Sequence, residues 1–201
     1  MTPTMTKRSR WDPVVKLTHW SIVAAVLGNA IITEAGSSAH VWVGYALAAI
    51  LGLRLLWGLI GPAEARFTAF LPSVGGVRSH LREIRAGVRS EHKSHNPLGA
   101  LMVYAIWACL IVIIATGISM AGLPSLAESR GESPSAYSLT YERGEEGEYE
   151  DEDREEGLAG EIHETAANLL YILILLHLAG VLFETRRNGR KVVLAMVPGH
   201  R

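Results

Sequence analysis

Four apolar stretches do most to limit what this chain can fold into. Each is about 20 residues long, the length an α-helix needs to cross the ~30 Å hydrocarbon core of a bilayer. They run over about 14–34, 40–61, 97–122 and 161–184. A lipid interior offers a peptide backbone no hydrogen-bond partner but itself, so each stretch reads as a membrane-spanning helix. The expected fold class is an all-α membrane protein, a four-transmembrane-helix bundle in a single domain over 1–201. Asn96 and Pro97 suit an N-cap and a first turn, and "AGLPS" ends the third span with glycine and proline. The first stretch has a basic start and small residues at "AGSSA", as a cleaved leader does. Lys16, His19 and Asn29 interrupt its apolar run, which favours a retained span.

The net charge of −1 hides a strong segregation. Fifteen of the 19 basic residues fall in three flanks that four spans place on one face. These are Lys7 to Lys16, Arg66 to Lys93, and Arg186 to Arg201. Basic loops stay in the cytoplasm, so both termini are expected there, in a bacterial inner membrane. Within the middle flank, residues 73–89 place Val74, Val77, Leu81, Ile84 and Val88 at spacings of three and four among arginines. That pattern predicts an amphipathic helix on the cytoplasmic membrane surface, with a soluble connector as the alternative. His80, His92 and His95 are expected to be surface or capping residues there.

The opposite face is acidic. The long periplasmic loop, 123–160, carries "YERGEEGEYEDEDREEG" at 141–157, and Glu128 to Glu161 holds 13 acidic residues against three arginines. Such a block repels itself and is either simply solvated or a docking surface for a basic periplasmic redox protein. The chain's one cysteine, Cys109, lies in an apolar run, which excludes a disulfide framework or thiolate metal site. No C-x-x-C-H motif exists for covalent haem attachment.

Ionisable groups inside a membrane mark function. "EIHETAANLLYILILLHLAGVLFE", 161–184, carries His163 and His177 fourteen positions apart. Fourteen residues turn about 1400°, within about 40° of four full turns, and rise about 21 Å, so both share one helix face at two depths. His19 opens the first span at the cytoplasmic depth of His177, and His40 opens the second at the periplasmic depth of His163. The climb from His19 to Glu34, roughly 22 Å, gives the same separation independently. The histidines therefore sort into His19 with His177 and His40 with His163. Two imidazoles facing each other in apolar surroundings suit a six-coordinate haem b. Hydrogen-bonded packing histidines are the bland alternative. A metal-ion transporter using Glu34, Glu161 and Glu164 at the periplasmic mouth is a third reading. Gly44 and Gly28 offer a macrocycle room, or else mediate helix packing. Arg54, fourteen residues after His40, either pairs with a haem propionate at the depth of the lower pair or snorkels to the headgroups.

The chain resembles the bacterial di-haem cytochrome b561 family, including the b-type cytochrome subunits of nickel-iron hydrogenases. The resemblance rests on "WDPVVKLTHW", "HVWVGYALAAILGLRLLWGLIGPAEARF", "HNPLGALMV" and the fourth span, and leaves out only the acidic loop. It implies two non-covalent haem b groups, with His19 and His177 as ligands on the cytoplasmic side and His40 and His163 on the periplasmic side. It also implies transmembrane electron transfer between a periplasmic redox partner, a c-type cytochrome or hydrogenase, and the quinone pool. Family members differ in their partners, and a self-contained quinol oxidoreductase, for example with superoxide, is the alternative. No side chain is a candidate general acid or base. Lipid surrounds the chain, quinone is a further candidate ligand, no nucleic-acid partner is expected, and a homodimer is compatible with the sequence.

Overall fold

A computed structural model of the chain describes residues 12–63, 65–69, 71, 73–87, 97–123 and 149–196. Lys7, Arg8, Arg10, Arg89, His92, Lys93, His95, Asn96 and the acidic run up to residue 148 lie outside the described residues. All regular structure among the described residues is helical: α1 (Pro13–Leu27), α2 (Ser38–Ile60), α3 (Val74–Arg85), α4 (Pro97–Ala121), α5 (Tyr149–Asn188) and α6 (Lys191–Met196). A π-helical turn, Gly28–Ile32, extends α1, and a short 3-10 turn spans Phe67–Ala69. Four segments are long and apolar enough to cross a membrane: Pro13–Ile32, Ser38–Ile60, Pro97–Ala121 and Gly157–Arg187. This is the fold class of a four-helix membrane protein. Large apolar side chains stand exposed along these spans, Ile31 at 76 % and Leu175 at 67 % among them. Lipid rather than water must solvate such a surface.

The helix ends follow from local chemistry. Asp12 Oδ1 accepts the backbone N–H groups of Val14 (2.8 Å) and Val15 (3.2 Å), capping α1. Ser37 Oγ caps α2 by accepting from His40 N at 3.2 Å, and Ser73 Oγ caps α3 by accepting from Gly76 N at 3.2 Å. The far ends of α4 and α5 turn on Gly122 and Gly189 at φ of 76° and 85°, a left-handed conformation that a side chain disfavours.

Two expectations are corrected. The fourth helix starts at Tyr149, so residues 149–160, expected in the acidic loop, are helical. Hydropathy marks only the stretch inside the membrane. Glutamates are good helix formers, and acidic side chains suit the positive end of a helix dipole, so the helix continues outward beyond the apolar boundary. His80 is not a surface residue but only 3 % exposed, with Nδ1 3.6 Å from Glu83 Oε2. It falls three residues after Val77 and four before Ile84, on the inward stripe of α3, while Leu81 beside that stripe is 40 % exposed.

Contacts divide the chain into two compact units. The first takes its described residues from 1–20, 53–104 and 175–201, and the second from 21–52 and 105–174. Each draws one segment from each of the four spanning helices. Leu51, Leu110 and Leu170 are among the most buried side chains of the second unit, while Val15 and Arg54 are buried in the first.

Candidate functional site

In the first unit, the cap on Asp12 fixes where α1 begins, and His19 follows two turns later. Thr18 beside it is 2 % exposed and donates its hydroxyl back to Val14 O at 2.8 Å. His177 comes from α5. The two imidazoles stand with ring centres 6.5 Å apart and planes at 56°. His19 also meets Trp20 edge-on at 5.6 Å, and Trp20 Nε1 donates to Met196 O at 2.9 Å. Arg54, on α2, is buried in this same unit at 5 % exposure. One turn further on, Trp57 Nε1 donates to the capping carboxylate of Asp12 at 3.1 Å.

The second unit holds the other pair. His40 sits in the first turn of α2 and His163 on α5, with ring centres 6.2 Å apart and planes at 60°. Both rings are held at Nδ1. Thr116 Oγ1 on α4 is 3.0 Å from His163 Nδ1, and Thr33 Oγ1 is 3.4 Å from His40 Nδ1. Asn29, in the π-turn, donates from Nδ2 to His40 O at 3.1 Å. Gly117 lets α4 approach: a Cβ there would stand 3.4 Å from His163 Cε1. Gly28 and Gly44 are half-buried, yet a Cβ on either would meet no atom within 4 Å, so open space adjoins both.

The structure thus brings His19 to His177 and His40 to His163, and puts Arg54 in the unit of the first pair. Among the described residues, no group of three or more His, Cys, Asp or Glu side chains gathers as a bare metal ion would need.

A family model described as prokaryotic cytochrome b561 matches residues 10–199, nearly the whole chain. The chain belongs to the prokaryotic cytochrome b561 family. Its function is accordingly transmembrane electron transfer on b-type haem. No curated protein and no solved structure matches the chain.

Several contacts in this cytochrome leave no mark in its sequence. Thr33, Thr116 and Gly117 look like ordinary members of apolar helices, where threonine routinely bonds back to its own helix. Asn29 did leave a signal, as a polar interruption of the first span. Its target was hidden, because a π-turn shifts the phase on which helical spacing depends.

Proposed function

We propose that the cytochrome holds two b-type haems, one between His19 and His177 and one between His40 and His163. With them the protein would carry single electrons between a periplasmic redox partner and the quinone pool. The observation that carries this reading is a distance. A metal–imidazole bond of about 2.0–2.1 Å, plus roughly 1.15 Å from nitrogen to ring centre, would put two imidazoles that share one metal about 6.3–6.5 Å apart between centres. The two pairs stand at 6.5 Å and 6.2 Å. Ring centres also come this close in ordinary packing, as Phe67 and Tyr104 do at 6.3 Å, so the support lies in histidine meeting histidine twice at a spacing close to the ligand one. Two protein ligands are too few for a bare ion, whereas haem brings four nitrogens of its own.

When bound, haem supplies an iron that cycles between two oxidation states one electron apart. The chain's own residues do the rest. Each imidazole pair would hold an iron, and the surrounding apolar side chains would exclude water and so tune its potential. Gly28 and Gly44, in the same unit as the His40/His163 pair, would add no bulk to a macrocycle passing them. Arg54, buried with the other pair, offers a guanidinium to a propionate, a match of planar charge and paired acceptors.

The basic flanks favour cytoplasmic termini in the inner membrane, with His19 and His177 on that side. The acidic residues 141–157 then face the periplasm, where they steer a basic redox protein toward the His40/His163 end.

The test is the dithionite-reduced spectrum and haem content of the purified full-length protein. A b-type spectrum with about two haems per chain is expected. A haem-replete preparation without that absorbance would overturn the reading.

A further inference from the structure

The hydrogens around the second pair can be counted. Thr116 has one hydroxyl hydrogen and three neighbours: Val112 O at 2.8 Å, Ile113 O at 3.1 Å and His163 Nδ1 at 3.0 Å. Both carbonyls can only accept, and a threonine hydroxyl in a helix donates back to them. With its hydrogen committed there, Oγ1 presents a lone pair to the ring. In that arrangement His163 Nδ1 is the donor.

His40 is treated the same way by a different device. The π-turn closes through Thr33 N, which donates to Gly28 O at 3.1 Å. It aims both Asn29 and Thr33 at one residue. Thr33 Oγ1 donates to Asn29 Oδ1 at 3.1 Å, and Asn29 Nδ2 donates to His40 O at 3.1 Å. His40 Nδ1, 3.4 Å from Thr33 Oγ1, completes a closed ring of three hydrogen bonds when it carries the hydrogen. A neutral imidazole has only one N–H, so with the hydrogen at Nδ1 each ring has a bare Nε2.

The first pair differs. Among the described residues, neither His19 nor His177 has a hydrogen-bond partner on its ring; the neighbours of His19 are the rings of Trp20 and His177.

We propose that Thr33 and Thr116 are positioning residues that hold His40 and His163 in the Nδ1–H tautomer, present Nε2 to iron, and lower the potential of that haem alone. The inference rests on the haem reading above. An imidazole donating from Nδ1 becomes more basic at Nε2, and a more basic axial ligand favours the ferric state. The hydroxyl oxygens carry no charge, so the effect is a tuning rather than a replacement of the ligand. The two haems consequently differ in the hydrogen bonding behind their ligands as well as in position.

The experiment is a redox titration of the full-length protein in detergent, followed through the haem spectrum, on wild type, Thr116→Val and Thr116→Ser. His163→Ala identifies which haem belongs to the pair. Thr116→Val, which keeps shape and removes the oxygen, should raise the midpoint of that haem and leave the other in place. It should also weaken retention of that haem, by roughly 10–100-fold for loss of a ligand's hydrogen-bond partner. Thr116→Ser should restore both properties. Thr33→Val, read in the same way, provides a second variant should Thr116→Val fold poorly. Unmoved midpoints in both valine variants would overturn the inference, as would a loss that serine does not repair. Failure of His163→Ala to remove any haem would instead defeat the haem reading itself.

Discussion

His40 and His163 come from opposite ends of the chain and meet with ring centres 6.2 Å apart. Nothing local forces this encounter. Each ring is carried by its own long helix, and packing within the second unit sets their separation. His19 and His177 repeat the relationship at 6.5 Å in the first unit. A shared geometry in separate surroundings makes each pair separately removable.

His19→Ala and His177→Ala should therefore abolish the same haem, and His40→Ala and His163→Ala the other. Haem content should fall from about two per chain to about one in each variant, since one axial ligand holds haem poorly. Low-temperature difference spectra distinguish the two signals. Loss of one common haem in His19→Ala and His163→Ala would show that the pairs are wrongly assigned.

Gly117 leaves the His163 ring little slack. Gly117→Ala should be tolerated with a small shift of the ring, because the added carbon would lie 3.4 Å from Cε1. Gly117→Leu adds volume that the ring cannot yield to, at a cost of about 1–3 kcal/mol. It should release the His40/His163 haem selectively, as measured by haem content per chain. Retention of both haems in Gly117→Leu would mean that α4 can back away from the ring.

Removing the buried guanidinium should lower the potential of the His19/His177 haem. Without a cation nearby, a propionate's negative charge favours the ferric state. Arg54→Leu should show the full downward shift and Arg54→Lys a partial one, in a redox titration. An unchanged midpoint in Arg54→Leu would separate Arg54 from the propionates.

Asp12 holds two structures at once, the cap of α1 and the indole of Trp57. Asp12→Ala forfeits about 1 kcal/mol for the cap. The stranded indole N–H adds roughly 1 kcal/mol more. Asp12→Asn keeps an acceptor oxygen and should recover most of the loss. Thermal unfolding in detergent, followed by circular dichroism, measures the difference.

Binding of a basic c-type cytochrome should weaken as salt is raised from about 10 to about 150 mM, because the Debye length shortens from about 30 Å to about 8 Å. Replacing the acids of 141–157 by amides should slow association more than it speeds dissociation. Binding that ignores salt would exclude steering by this run.

The spans and the histidine pairing were legible because the period of an α-helix is strict over long apolar runs. Counting from His163 to His177 needs nothing beyond about 3.6 residues per turn. The same count hid Asn29 and Thr33, since the π-turn between them departs from that period. His80 could have been found. Its spacing from Val77 and Ile84 places it on the inward stripe of α3, but the surrounding arginines suggested a wet surface. The early start of α5 at Tyr149 was not legible from hydropathy, which is silent about helix outside the apolar boundary. Thr116 was illegible for a different reason: its partner lies on another helix, and no spacing along α4 reports that.

The π-turn makes a residue matter through number alone. Gly28–Ile32 winds wider than an α-helix. Removing Ala30 would let the segment rewind as ordinary helix, an i→i+4 turn replacing the i→i+5 turn, so that the flanking helix keeps its phase while the wide turn is lost. Asn29 and Thr33 would then stand three residues apart instead of four, and the hydrogen bond between them at 3.1 Å would have to re-form on a narrower turn. Ala30 offers no donor, acceptor or charge in its side chain, yet it is one of the five residues that make the turn wide where an amide and a hydroxyl meet an imidazole. Its role is that of a spacer: a deletion here should leave the span helical and disturb only the contacts around His40, which no substitution that keeps the turn would do in the same way.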